Sequence, residues 1–250
     1  MPRPPNSAPI TDFIAAAVAP FGLNLIGVAA AASYDAEVGP SRRLGRHLAG
    51  ARSVVVVGNG GGAFWDAYRR FCAANPGHER RPDPVDDFTR AIVGTACAPL
   101  EERDDARVLY PFGFAEDGVS FTRLALLAGL GRPSLVGVLV HPVYGPWMAL
   151  RAAILVRDSL TAPRPADGWD PCPSCRDRPC IAACPGGAVT DTGWSVPRCG
   201  ASRARADDPC ATRCHARVAC VLGPEHRYPD EALAYHQRRA RDPLLRVSGS

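Results

Sequence analysis

The 250-residue chain contains no lysine; all 29 of its basic residues are arginine. That excludes a lysine Schiff base, a lysine general base and the lysine of a phosphate-binding loop. Charge imbalance is also missing. A net charge of +4 demands no nucleic-acid footprint. No apolar run reaches the roughly 18 residues that a membrane span needs. Met1-Pro2-Arg3-Pro4-Pro5 lacks the basic-then-apolar run of a secretory signal. A cytoplasmic protein with no membrane partner is expected. The hydrophobic fraction of 46% allows a substantial core, either as one large domain or as one domain plus a small module.

Cysteine is abundant. Ten are present, and Cys172, Cys175, Cys180 and Cys184 fall in a C-x2-C-x4-C-x3-C-P run. Cys199, Cys210, Cys214 and Cys220 follow. Bacterial ferredoxins carry C-x2-C-x2-C-x3-C-P, whose fourth cysteine ligates the other cluster of a pair. Eight thiolates are what two [4Fe-4S] clusters require. Two alternatives stand beside this reading. Disulfide frameworks belong to small secreted domains. Structural zinc favours paired C-x2-C knuckles, and Cys210-x3-Cys214-x5-Cys220 is not one. The ferredoxin crossover predicts Cys172, Cys175, Cys180 and Cys220 on one cluster, with Cys184, Cys199, Cys210 and Cys214 on the other. Cys72 and Cys97 lie outside the module and read as buried thiols.

Hydrophobic patterning predicts an early helix ending near Pro20, a strand over 21–29, a short helix over 41–48 and a buried strand at Ser53–Val57. A helix from Phe64 to Ala73 and another starting at Pro84 follow. Further strands are expected at 107–110, 134–140 and 148–156, with a helix at 121–130 and a polar terminal helix at 228–241. Residues 1–9 read as loose and 162–170 as a linker. The mixture argues α+β, with a domain over 1–160, a cysteine module over 165–225 and a helical tail over 226–250.

Gly58-Asn59-Gly60-Gly61-Gly62-Ala63 follows a strand and precedes a helix, so it fits G-x-G-x-x-A. Glycines at a helix N-terminus let an anion approach. The acid expected about 20 residues on, at the end of a second strand, has no good counterpart, because Asp83 lies in a proline-rich loop. Nicotinamide binding, a plain tight turn and a loop beside another large cofactor remain as readings.

Gly118 to Gly131, containing Ala128-Gly129-Leu130-Gly131, precedes a predicted strand and then His141-Pro142-Val143-Tyr144-Gly145-Pro146-Trp147. This arrangement resembles the epoxyqueuosine reductases, as does the lone Cys199 preceded by Arg198. The His141–Trp147 turn, the Asp83-Pro84-Val85-Asp86 helix start and the strand–loop–helix from Val57 to Phe71 also resemble CblC-type cobalamin-processing proteins. The resemblance implies a nitroreductase-like sandwich followed by a ferredoxin-like module, with cobalamin and two [4Fe-4S] clusters as cofactors. It implies a corrin site lined by Gly58, Gly60, Gly61, Gly62, His141, Tyr144, Gly145 and Trp147. It also implies catalytic roles for Asp117, as the acid before the Ala128–Gly131 segment, and for His141.

Departures accompany the likeness. Glu116 and Asp117 are offset from the family's acid, Cys220 is followed by Val221 rather than proline, and too few residues follow the module for the family's tRNA-binding helical repeat. Residues 161–250 carry 13 Arg against 10 Asp plus Glu. The expected partners are therefore a small-molecule or corrinoid substrate and a ferredoxin- or flavodoxin-type redox protein, and tRNA is not expected. The resemblance implies an iron–sulfur, cobalamin-dependent reductase or a corrinoid-processing protein, with electrons passing through two [4Fe-4S] clusters to a corrinoid; a plain electron-transfer ferredoxin and a true tRNA-reducing enzyme are the alternatives.

Overall fold

The computed structural model describes residues 10–161 and 168–248. The expectations for residues 1–9 and for most of the linker lie outside these. The chain divides into two compact units. Among the described residues, the first comprises 10–130 and 149–161, and the second 131–148 and 168–248. Gly131–Met148 therefore group with the cysteine-bearing stretch rather than with the residues on either side of them, and the terminal helix joins the same unit.

The first unit holds α1 (Ile10–Val18), β1 (Leu25–Ala30), α2 (Ala31–Asp35), β2 (Ser53–Gly60), α3 (Ala63–Ala74), α4 (Pro84–Glu101), β3 (Ala106–Leu109), α5 (Phe114–Asp117) and α6 (Phe121–Leu127). Strands β4 (Arg132–Pro133) and β5 (Leu139–Val140) belong to the second unit, and β6 (Met148–Val156) completes the four-stranded sheet, ordered β1-β2-β6-β3. The β1–β2 and β3–β6 pairs are antiparallel, so the class is α+β. Val54–Val57 and Ala152–Val156 have no exposed surface, which is why these strands read as unbroken apolar runs. Helices cover the sheet with amphipathic faces. On α3, Phe64, Trp65, Ala67, Tyr68 and Cys72 are buried; on α4, Val85, Phe88, Ile92 and Val93. Pro84 begins α4, where its missing N–H costs nothing, and Asp86 and Asp87 offset the positive end of the helix. Phe88 packs on Phe64, Tyr68 and Phe71 with ring centroids 5.0–5.7 Å apart.

Two predicted elements differ. The helix expected over 41–48 is a pair of single 3-10 turns, Pro40–Arg42 and Leu44–Arg46. The strand expected over 134–140 is reduced to Leu139–Val140. Ser134–Val138 instead closes a turn in which Gly137 takes φ +77° and the Ser134 hydroxyl donates to the Val138 carbonyl.

Gly22 joins α1 to β1 at φ +75°, and a Cβ there would lie 2.3 Å from the Phe64 amide nitrogen. Gly50 has nearly the same angle, φ +76°, with nothing within 4 Å. Gly22→Ala should lower stability by roughly 3 kcal/mol or more, because strain and a backbone clash add, whereas Gly50→Ala should cost only about 1 kcal/mol. Thermal unfolding of the two variants measures the difference; equal losses would show that α3 yields freely.

The second unit contains β4, β5, α7 (Pro171–Ser174), α8 (Pro179–Ala182), β7 (Val189–Thr190), β8 (Gly193–Trp194), α9 (Val196–Arg203), α10 (His215–Val218) and α11 (Asp230–Ser248). Its elements are short, and its largest packing interface sets α11 against α9. There the buried Arg203 donates to Asp208 Oδ2 (3.3 Å) and to the Gln237 carbonyl (2.7 Å), and Arg241 donates to the Arg203 carbonyl (3.2 Å).

Candidate functional site

The module thiols whose environment is perturbed have other module cysteines as neighbours. Burial pushes the Cys180 thiol up, and the thiols of Cys220, Cys172 and Cys175 push it further. Burial likewise raises Cys220, with Cys172 and Cys175 again the thiols that add to it. Cys199 is raised by burial, and Cys214 and Cys184 are its thiol neighbours. Cys210 is pushed up to about 11, first by burial, with Cys214 and Cys199 contributing. The partners of these four thiols thus fall into Cys172, Cys175, Cys180, Cys220 on one side and Cys184, Cys199, Cys210, Cys214 on the other.

The Ala188 amide donates to Cys184 Sγ at 3.3 Å. The Trp194 side chain counters the rise at Cys199, the His215 amide that at Cys210, and the Leu222 and Val221 amides that at Cys220. Asp208, almost fully buried against Arg203, accepts the Cys210 amide at 2.8 Å and so fixes the loop that carries this thiol. Four thiols massed together repel one another once ionised, and each becomes favourable beside a cation. Donors aimed at sulfur are what tune a cluster's thiolates. Cysteine thiolates are the donor type that iron–sulfur clusters would use. Among the described residues, no three His, Cys, Asp or Glu side chains converge tightly enough to hold a single metal ion.

Of the arginines near the module, Arg198, Arg205 and Arg213 are exposed. Arg203 is 2% exposed and structural. Arg217 donates twice to the Pro146 carbonyl, at 3.1 and 2.5 Å. His215 is half-buried and shares a hydrogen bond with the Pro209 carbonyl (2.9 Å). Cys72 and Cys97 lie in the first unit, away from both sets in sequence. Burial raises both thiols, Cys97 to about 12.

The residues expected to line a corrin fare differently. Gly58 and Gly60 do not form a loop: they are buried members of β2. Gly58 pairs with Leu25, and a Cβ on it would stand 2.6 Å from the Ala149 carbonyl oxygen. Gly60 is clamped by Asn24, whose side chain accepts its N–H (2.7 Å) and donates to its carbonyl (3.0 Å). The dinucleotide fingerprint is overturned here, since an extended, paired strand presents no free amides to a phosphate. Gly61, at φ +70°, and Gly62 alone form the turn into α3. Beside it Arg151, 7% exposed, donates to Asn59 Oδ1 (2.7 Å) with its guanidinium carbon 4.2 Å from the Phe64 ring centroid.

In the second unit, the His141–Trp147 turn is closed by paired His141–Gly145 backbone hydrogen bonds of 2.8 Å. His141 Nδ1 accepts the Val143 and Tyr144 amides (3.1 and 3.3 Å), which leaves the ring proton on Nε2. Burial, then His226, lowers its pKa, so this histidine is neutral at pH 7. Tyr144 stacks between His141 (5.2 Å) and His226 (4.7 Å). Trp147 is not an open platform for a corrin. It has no exposed surface and packs edge-on against Tyr228, with centroids 5.9 Å apart.

Asp117 ends α5 in the first unit, and His141 belongs to the second. His47 Nε2 lies 3.2 Å from the Asp117 carbonyl oxygen, and its Nδ1 is 4.0 Å from the carboxylate. A polar cavity of about 430 Å³ opens beside α5 and α6, lined by Tyr34, Glu37, Arg42, Phe114, Ser120 and Arg123 among others. No helix among the described residues is long and apolar enough to cross a membrane.

The fold has known counterparts. An epoxyqueuosine reductase from Bacillus subtilis matches with a TM-score of 0.56 and 16% identity, over 88% of this chain and 66% of that one. An epoxyqueuosine reductase in complex with an epoxyqueuosine-modified tRNA-Tyr stem loop matches with a TM-score of 0.56 and 14% identity, over 89% of this chain and 67% of that one. CblC, a B12-trafficking protein of C. elegans, matches with a TM-score of 0.56 and 12% identity, over 90% and 89%. The resemblance carried by Gly118–Gly131 and His141–Trp147 thus holds at the level of the fold. The chain spans just under two thirds of the Bacillus subtilis enzyme. No protein-family model matches the chain, and no curated protein matches its sequence.

Proposed function

We propose that the chain is an iron–sulfur reductase in which two [4Fe-4S] clusters pass single electrons from a ferredoxin- or flavodoxin-type donor to a corrinoid. The observation that supports this reading is that Cys180 and Cys220 have Cys172 and Cys175 as thiol neighbours, while Cys199 has Cys214 and Cys184 and Cys210 has Cys214 and Cys199, with the Ala188 N–H on Cys184 Sγ at 3.3 Å. Cys172, Cys175, Cys180 and Cys220 would hold one cluster, and Cys184, Cys199, Cys210 and Cys214 the other. A corrinoid, when bound, supplies the low-potential reducing centre that side chains lack. The corrinoid part of the proposal rests on the fold shared with CblC and the epoxyqueuosine reductases.

The chain's own residues have narrower tasks. Asp117, with its backbone engaged by His47 and its carboxyl partly open to solvent, can hold and release a proton. Neutral His141 offers its Nε2–H as a hydrogen-bond donor, because both backbone amides occupy Nδ1. The turn at Gly61–Gly62 is the part of the glycine stretch left free to meet a ligand.

Protein prepared without oxygen and titrated with hydroxocobalamin should change the corrin absorbance and retain the corrinoid on gel filtration. If clusters are present and the corrinoid passes through unretained, the chain is an electron carrier. A second reading, reduction of a tRNA nucleoside, is favoured by the fold shared with a tRNA-bound epoxyqueuosine reductase, which weakens the expectation that tRNA is no partner. Expression in a strain lacking its own epoxyqueuosine reductase, followed by tRNA nucleoside analysis, separates the two. Restored queuosine promotes the tRNA reading; none, with corrinoid retained, supports the first.

A further inference from the structure

The lining residues of the polar cavity beside α5 and α6 all belong to the first unit. Its volume of about 430 Å³ falls within the roughly 300–1,000 Å³ of small-molecule sites. Its walls are held in place. Glu37 donates its amide to the Tyr34 carbonyl (3.0 Å), and Arg42 its amide to the Gly39 carbonyl (2.9 Å). Asp35 Oδ1 accepts the Leu44 amide at 2.8 Å, which pins the far end of the same segment. The fully buried Tyr34 hydroxyl accepts the Ser120 amide (2.8 Å) and so ties this segment to the start of α6. The stem of Arg42 lies over Gly118, where a Cβ would stand 3.5 Å from Arg42 Cγ.

The charges of the lining do not cancel. Glu37 is engaged by Arg123 in an ion pair. The Arg42 guanidinium has no hydrogen-bond or ion-pair partner among the described residues. A guanidinium can only donate. Ser120 Oγ accepts the Arg123 amide at 3.4 Å, which leaves its own proton to give. The cavity therefore offers donors and one uncompensated positive charge. Phe114, 50% exposed, adds an aromatic face to the lining. We propose that this cavity binds a small organic acid, with its carboxylate on Arg42 and Ser120 and its apolar body against Phe114. One spare charge suits a monoanion, whereas the second charge of a phosphate would face Glu37 with nothing to offset it.

The test uses the full-length chain, prepared without oxygen, and 4-fluorophenylacetate followed by 19F nuclear magnetic resonance. The acid should bind, and the neutral 4-fluorophenylacetamide, close to it in shape, should bind at least about tenfold more weakly. Arg42→Gln should weaken binding of the acid by about tenfold, whereas Glu37→Gln, which frees Arg123, should tighten it. Arg43→Gln removes the same overall charge from the neighbouring residue, which is outside the lining, and should leave the affinity unchanged. Arg42 and Arg43 are both exposed, so both variants should fold. No binding of the acid, equal binding of acid and amide, or equal weakening by Arg42→Gln and Arg43→Gln overturns the proposal. Inorganic phosphate that displaces the acid at equal concentration overturns the choice of a carboxylate. Binding needs neither cluster nor corrinoid, so a chain that retains no corrinoid but binds the acid loses the reductase reading and keeps this site.

Discussion

Cys175→Ser protein, purified anaerobically, will carry about half the iron and half the acid-labile sulfide of the parent, which holds roughly eight of each when both clusters form. A serine in place of one ligand leaves its set with three thiolates, while the set of Cys184, Cys199, Cys210 and Cys214 keeps four. Cys214→Ser should therefore give the complementary loss, and the double variant should lose both clusters. The prediction is specific because the thiols whose environments are resolved interact within their sets. An arrangement set by sequence order would instead couple Cys175 with Cys184, and Cys184→Ser would then damage the same cluster as Cys175→Ser rather than the other one. Elemental analysis together with the spectra of the reduced variants reads the outcome. Stoichiometric zinc without sulfide in the parent would end the iron–sulfur reading altogether.

The proposed grouping of cysteines is legible in the spacing alone, because in ferredoxins a cysteine that follows a three-residue gap and precedes a proline ligates the other cluster. What surrounds the sulfurs is not legible. Asp208 holds the Cys210 amide, but it looks like any acid beside a proline until Arg203 is seen buried against it. The buried strand at Val54–Val57 announces itself through β-branched residues, but where it stops does not. Asn24, thirty-six positions away from Gly60, pairs with that glycine's backbone and so extends the strand through what looks like a phosphate loop. Ser134–Val140 fails for the opposite reason. It has the apolar content of a strand, yet Gly137 at φ +77° turns the chain and sets its Cα against the Trp194 ring. Trp147 was readable as an aromatic on a turn. That it is a core residue depends on Tyr228, far along the chain.

Gly145→Val should cost the protein one cluster although no cysteine is changed. Gly145 sits at φ +54°, and a Cβ there would fall 2.1 Å from the Leu222 carbonyl oxygen and 2.6 Å from its carbon. Gly223 faces back across the same contact: it takes φ +55°, and a Cβ on it would lie 2.7 Å from the Tyr144 carbonyl carbon. Two left-handed glycines thus let the 141–147 turn and the 220–223 loop touch backbone to backbone, and that loop carries Cys220 and the amides that counter the rise of its thiol. A branched side chain at 145 must displace it. The expected result is iron and sulfide close to the Cys175→Ser level, with the cluster of Cys184, Cys199, Cys210 and Cys214 intact. Gly187→Val is the control. Its φ of +55° carries the same backbone strain, on the order of 1–3 kcal/mol, but nothing lies within 4 Å of the added Cβ. It should keep both clusters and lose only stability. If both variants keep full iron, the contact at Leu222 does not position Cys220. If both lose iron equally, left-handed strain rather than the clash is responsible. Loss in Gly145→Val alone ties cluster assembly to the fit between the two loops.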